Sequence, residues 1–274
     1  MVTQEQRRRQ LAREKFLRQQ QRRTSARRKA RMRNAAIASV LGVILIGSVA
    51  LYTTGVVLDD GDSKTNANAE VTPSPSASSK APDPCEKPAE GKVETQTWKK
   101  EPAMTIDKSA KYTMKLATTC GDIDIALKTS AAPHTVNSFN FLAGKGFFDH
   151  TPCHRLTTNG IYVLQCGDPT GQGNGGPGYN IPDENLKDKS LKENMYPAGT
   201  VAMANTGQPD SGGSQFFLVY QNSPLPPSYT PFGTISDEGM TVLKKIAAAG
   251  ESTGAGDGAP NATVVIDKAT VTKS

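Results

Sequence analysis

From Tyr112 the chain begins to alternate. Tyr112-Thr-Met-Lys-Leu-Ala-Thr118 carries an apolar side chain at every second position until its last residues, Cys120-Gly121-Asp122 can turn, and Ile123-Asp-Ile-Ala-Leu127 alternates again. This is the pattern of a β-hairpin with one buried face. The period then lengthens. Ser130 is placed to cap a helix running from His134 to Leu142, with Val136, Phe139 and either Phe141 or Leu142 on one face, and Gly144 and Gly146 to stop it. Short apolar runs follow at 153–157, 161–166, 200–204, 215–219 and 231–235. A second helix is expected from Asp237 to Ala249, capped by Ser236 and followed by Gly250, and a last alternating strand covers 262–271. Short strands, two helices and long loops rich in Gly and Pro predict a mainly β fold: an eight-stranded antiparallel barrel, closed or nearly so, with two capping α-helices. Residues 110–274, 165 positions, suffice for one core.

Upstream the texture is different. Residues 59–109 show no apolar period and centre on PSPSASSKAPDP, which reads as an extended linker. Residues 35–58 hold no charged side chain over 24 positions. As a helix they would reach about 36 Å, enough for a hydrocarbon core of roughly 30 Å with some tilt. Thirteen Lys and Arg against Glu5 and Glu14 give residues 1–34 a net charge of +11, while Asp59, Asp60 and Asp62 follow the apolar run. Positive charge on that side predicts a single-pass anchor in the cell membrane, with a cytoplasmic N-terminus and everything after residue 60 outside. The alternative is a cleaved signal peptide, since Ser48-Val49-Ala50 has small residues at suitable spacing. Both readings export the C-terminal part. The basic segment itself reads as a topology determinant on the inner leaflet, with a nucleic acid or a cytosolic protein as rival partners.

Charge changes the picture further. The whole chain is at +6, but outside residues 1–34 there are 19 basic and 24 acidic side chains, a net of −5. The folded part is mildly acidic, which excludes a broadly basic nucleic-acid-binding fold. No Gly-x-Ser-x-Gly, Walker loop or His-Glu-x-x-His is present. The run Gly171-Gln-Gly-Asn-Gly-Gly-Pro-Gly178 lacks the lysine and strand–turn–helix setting of a phosphate loop. His150-Thr-Pro-Cys153-His154 offers three ligand types, but no Cys-x-x-Cys supplies the other half of a structural zinc site. Four cysteines, Cys85, Cys120, Cys153 and Cys166, allow three full pairings. Cys153–Cys166 is the obvious pair. If Arg155 faces Gln165 across a hairpin, however, the two thiols point to opposite faces unless a bulge intervenes, so the pairing stays open.

Several stretches occur in a telling order: His154-Arg155-Leu156, Leu164-Gln165-Cys-Gly-Asp168, Gly175-Gly-Pro-Gly-Tyr179, Met203-Ala-Asn205 with Gly213-Ser-Gln-Phe-Phe217, and Phe232-Gly233. From about 110 to 272 the chain closely resembles the cyclophilins, peptidyl-prolyl cis–trans isomerases, and specifically their membrane-tethered bacterial members. The resemblance implies that Arg155 is the catalytic arginine and Gln165 its partner. It puts Tyr162, Val163, Phe217 and Leu225 around a proline pocket, with Gln215 beside it and Tyr229 where many members have a histidine. Ala204 and Asn205 would hold the peptide backbone. The segment between Arg155 and Gln165 is two residues longer than usual. Pro224 stands where animal cyclophilins carry a tryptophan important for cyclosporin, which implies weak binding of that drug.

Such a protein would accelerate rotation about X–Pro bonds in exported proteins as they fold. It would act on proline-containing unfolded or partly folded polypeptides, as a monomer, without cofactor or metal. Two other readings remain: a tethered proline-peptide-binding module or holdase with little turnover, and a chain whose main role lies in its basic N-terminal tail.

Overall fold

The computed structural model describes residues 82–274; the basic segment, the apolar run 35–58 and the first part of the expected linker lie outside the described residues. The hairpin forms as its alternation dictates. β1 (Tyr112–Thr118) pairs with β2 (Gly121–Leu127) in unbroken register from Tyr112↔Leu127 to Thr118↔Gly121. Its inward row, Met114, Leu116, Ile123 and Ile125, is almost wholly buried, as one face of a two-sided strand should be.

The mainly β architecture is present, and among the described residues there are two helices and twelve strands rather than eight. In chain order the rest are β3 (Thr151–Pro152), β4 (Arg155–Thr157), β5 (Val163–Cys166), β6 (Met195–Tyr196), β7 (Thr200–Met203), β8 (Phe216–Val219), β9 (Ser223–Pro224), β10 (Pro231–Ile235), β11 (Asp257–Gly258) and β12 (Val265–Lys273). Strands β3, β6, β9 and β11 have two residues each, too few to leave a period in the sequence. Ten strands form one sheet in the order β11-β4-β5-β8-β7-β10-β2-β1-β12-β3, and β6 pairs with β9 apart from it. At one end of that order lies β3; two residues further along the chain, β4 stands next to the other end. The sheet therefore curls back on itself, with Cys153-His154 as the link.

That link settles the cysteines. Cys153 is bonded to Cys166, and Cys85 to Cys120. The register expected from the sequence, Arg155↔Gln165, is present. Cys153, though, has already left the β4–β5 ladder: its N–H donates to Val264 O (2.9 Å). The parity that set the two thiols on opposite faces does not extend to it.

Helix α1 (Pro133–Gly144) buries Val136, Phe139 and Leu142, with Phe141 only partly covered. Ser130 is not its cap. Ala132 holds that position, and the first turn's N–H groups are met by Glu184, whose carboxylate accepts from His134 N (3.0 Å), Thr135 N (2.9 Å) and the Thr135 hydroxyl (2.9 Å). A carboxylate from a distant loop does what a local side chain usually does. Helix α2 (Asp237–Ala248) is capped as expected, Ser236 Oγ accepting from Gly239 N at 3.0 Å.

From Cys85 onward the expected linker lies against the barrel as an extended strap. Trp98 packs on Phe141 and Phe147 (centroids 5.1 and 6.0 Å) and its backbone N–H donates to Pro177 O. Asn137 Oδ1 accepts from Thr105 N, and Ile106 is buried. No helix among the described residues is long and apolar enough to cross a membrane.

Candidate functional site

Strands β5, β7 and β8 are buried on both faces but for the half-buried Gln165, so they read as short, mostly apolar runs. Period two sorts them into two sets. Leu156, Leu164, Cys166, Val201, Met203, Phe216 and Leu218 belong to the main core. Their neighbours point outward into a second, smaller apolar cluster of Val163, Tyr196, Ala202, Phe217 and Val219, joined by Ile161, Ala204, Leu225 and Tyr229. The pairing places Arg155, Gln165, Phe217 and Ala202 in one row across four adjacent strands.

Beside this row lies a groove of about 300 Å³, lined by His154, Arg155, Ile161, Val163, Gln165, Gly173, Ala204, Asn205, Phe217, Leu225 and Tyr229. Eight residues expected at the site are thus brought together: Arg155, Gln165, Val163, Ala204, Asn205, Phe217, Leu225 and Tyr229. Tyr162 is not. It sits between two groove-facing residues, so alternation turns it away, and its ring packs edge-on against Tyr220 (5.9 Å). Ile161 takes its place. Counting in twos back from Gln165 through Val163 would have found it. Gln215 lines a neighbouring cavity of about 470 Å³ that shares Gln165, Gly173, Ala204 and Asn205 with the groove. The glycine run that lacked the features of a phosphate loop supplies much of that cavity's wall.

The polar groups form a chain. Arg155 donates from Nε and Nη2 to the two oxygens of Asp257 (2.7 and 2.8 Å) and from Nη1 to Gln165 Oε1 (3.2 Å). Gln165 Nε2 donates to Gln215 Oε1 (2.9 Å), and Gln215 Nε2 to Gly175 O (3.0 Å). The Asp257 carboxylate raises the Arg155 pKa further, against the opposing effect of burial. His154 is shifted down, chiefly by burial and also by the Arg155 charge, which outweigh the attraction of Asp168. Burial alone would raise Asp168, but N–H groups of Gly175, Thr170 and Gly173 and the Thr170 hydroxyl bring it below the usual carboxylate range. Those bonds wrap the glycine run around Asp168, and at Gly175 a Cβ would run into the carboxylate itself.

Asn205 contributes differently from what its side chain suggests. Its Nδ2 donates to Ser228 O (2.7 Å) and its Oδ1 accepts from Gly207 N (3.0 Å), so the amide staples two loops together. With its amide committed in this way, Asn205 still lines the groove. Tyr229 is held by the buried Tyr196, whose hydroxyl donates to Tyr229 O (2.7 Å) and accepts from Tyr229 N (3.1 Å). Burial pushes the Tyr196 hydroxyl up to about 12. Pro224 is exposed on β9, opposite Met195. Cys153, one of three adjacent potential metal ligands, commits its sulfur to Cys166.

A curled antiparallel sheet with two helices, bearing on its outer face an apolar slot with an arginine and a glutamine at one wall, defines a protein of the cyclophilin class. The sequence profile described as "Cyclophilin type peptidyl-prolyl cis-trans isomerase/CLD" matches residues 113–271, and the chain belongs to that family. It is similar to the probable peptidyl-prolyl cis-trans isomerase B of Mycobacterium leprae, 45% identical over 201 residues, covering 70% of this chain and 64% of the relative. The protein of the same description from Mycobacterium tuberculosis is 45% identical over 208 residues, covering 73% and 62%. The chain thus spans less than two thirds of the length of these curated relatives. Among solved structures it is similar to a cyclophilin-type isomerase of Cryptosporidium parvum, with a TM-score of 0.50, 26% identity, and 60% of this chain and 99% of the other covered.

Proposed function

We propose that the chain is a peptidyl-prolyl cis–trans isomerase that turns X–Pro bonds of exported polypeptides while they fold. The observation that carries this reading is the row Arg155–Gln165–Phe217–Ala202 flanking the apolar groove. Rotation about an X–Pro bond must break amide resonance, against a barrier of about 18–20 kcal/mol, and takes tens to hundreds of seconds unaided. No covalent bond is made or cleaved, so the site has only to bind the twisted imide better than either planar form. Phe217, Val163, Ile161 and Leu225 offer the proline ring an apolar slot. As the bond twists, the proline nitrogen gains a usable lone pair, and a guanidinium fixed beside it can donate to that lone pair. That is the role of Arg155, oriented by Gln165. The main chain of Asn205 holds one side of the peptide while the other side rotates.

Removing one electrostatic donor of this kind costs about 2–4 kcal/mol of transition-state stabilisation. Arg155→Ala should therefore lower kcat/KM roughly 30- to 1000-fold in a protease-coupled isomerisation assay, with the thermal midpoint little changed. Near-normal turnover in the folded variant would remove Arg155 from the mechanism.

The domain plan supporting export is a basic cytoplasmic segment 1–34, a transmembrane anchor 35–58, a linker, and the barrel outside the membrane. Its support is the uncharged run between a segment of +11 and an acidic stretch. Full-length protein in the membrane pellet, with the barrel open to external protease, is the expected result. Protection of the barrel in intact cells would contradict it.

A further inference from the structure

We propose that Asp257 is a positioning residue for the isomerase reaction, clamping the Arg155 guanidinium so that its remaining N–H groups are the ones offered to the substrate. This inference rests on the reading of Arg155 given above. Asp257 is not among the residues lining the groove, so it reaches a substrate there through the arginine. Its two oxygens take Nε and Nη2 side-on at 2.7 and 2.8 Å, a planar fork that fixes both the position and the tilt of the guanidinium. Gln165 takes one hydrogen of Nη1 from the other side. Of the five N–H donors of an arginine, one on Nη1 and one on Nη2 are then left for a ligand. Without the carboxylate, a side chain about one-third exposed would swing on its flexible stem, with only the 3.2 Å bond to Gln165 to restrain it.

The loop that delivers Asp257 is built for a fixed position. Glu251 is buried and its carboxylate gathers Thr253 N (2.6 Å), the Thr253 hydroxyl (2.7 Å) and Gly256 N (2.8 Å). The Thr253 hydroxyl also approaches Asp257 O at 3.2 Å, and Asn261 Nδ2 ties the loop's base to Ala249 O and Glu251 O. Beyond the turn, Asp257 and Gly258 pair with Thr157 and Leu156 on the same short strand that carries Arg155. A carboxylate-centred turn followed by two ladder pairs sets the acid against the base with little play.

The test measures kcat and KM separately for the full chain in detergent, comparing wild type with Asp257→Ala, Asp257→Asn, Arg155→Ala and the double alanine variant. Misplacing a reacting group is expected to lower kcat of Asp257→Ala about tenfold while KM moves less than twofold. Asp257→Asn keeps one acceptor oxygen and should recover part of the loss; it also carries the test if the alanine variant does not fold. Because the carboxylate acts through the guanidinium, the double variant should be no slower than Arg155→Ala alone. Wild-type kcat in Asp257→Ala, a change in KM only, or losses that add in the double variant would overturn the inference and leave the isomerase reading standing. Absence of activity in the wild type would overturn both.

Discussion

Arg155 is pinned by Asp257 on one side and Gln165 on the other, while Ile161, Val163, Phe217 and Leu225 give the groove beside it an apolar wall. That division predicts which neighbours matter to binding. Ile161 lines the groove, so Ile161→Ala, which strips buried carbons worth about 1–2 kcal/mol from the slot, should raise KM for a proline peptide about 5- to 30-fold. Tyr162 faces Tyr220, so Tyr162→Ala should lower stability by about 1 kcal/mol and leave KM alone. Kinetics and urea unfolding on the two variants decide; the reverse pattern would return Tyr162 to the groove. Sequence motifs placed Arg155, Gln165, Asn205 and Phe217 together, and the structure brings all four to the groove: three lie on short strands and Asn205 just beyond the end of β7. Alternation, counted from Gln165, would have corrected Tyr162 to Ile161. Asp257 had no such signal: it is 102 residues from its partner, on a two-residue strand after an irregular turn.

The longer elements announced themselves by period, as β1, β2, α2 and β12 did, and the four- and five-residue strands β5, β7, β8 and β10 as short apolar runs. What escaped was tertiary. Glu184 caps α1 from 49 residues away, and the link between β3 and β4 lets Cys153 meet Cys166 despite the parity of the ladder. The strap at 85–106 has no apolar period because its few buried side chains meet the barrel singly rather than as a face. Its tether is Cys85–Cys120, which closes 35 residues and by loop-closure entropy adds about 3–4 kcal/mol to stability. Replacing both cysteines by serine should lower the urea midpoint accordingly. It should also let Trp98, the chain's one tryptophan, shift its emission to the red before the barrel's circular dichroism is lost. A wild-type midpoint with unchanged emission would mean that packing alone holds the strap.

For the molecule as a whole, buried ionisable groups set the response to acid. Burial and the Arg155 charge depress His154, so the unfolded chain binds its proton first as the pH falls below about 6.5, and stability declines from there. Asp168 and Asp188 are also depressed. Burial opposes this in both, but hydrogen bonds prevail, from the glycine loop at Asp168 and from Lys128, Ser190 and Asn185 at Asp188. Their stabilising effect is present above about pH 4 and is lost as pH falls through their folded values. Urea midpoints should be level from pH 7 to 8, fall gently below about 6.5 and steeply below about 4, and His154→Gln should remove the gentle part. A midpoint unchanged down to pH 5 in the wild type would contradict the reading of His154.

Isomerase and binding module differ in one observable that no static groove reveals. A catalyst speeds cis-to-trans and trans-to-cis rotation together and leaves their ratio alone, whereas a binder pulls the ratio toward the form it holds. Exchange spectroscopy on an Ala–Pro peptide with the full chain at one-hundredth of the peptide concentration separates the two. The expected result is an exchange rate raised well above the uncatalysed one, an unchanged cis fraction, and loss of the acceleration in Arg155→Ala. Exchange at the uncatalysed rate with wild-type protein would contradict the assignment of this site as an isomerase.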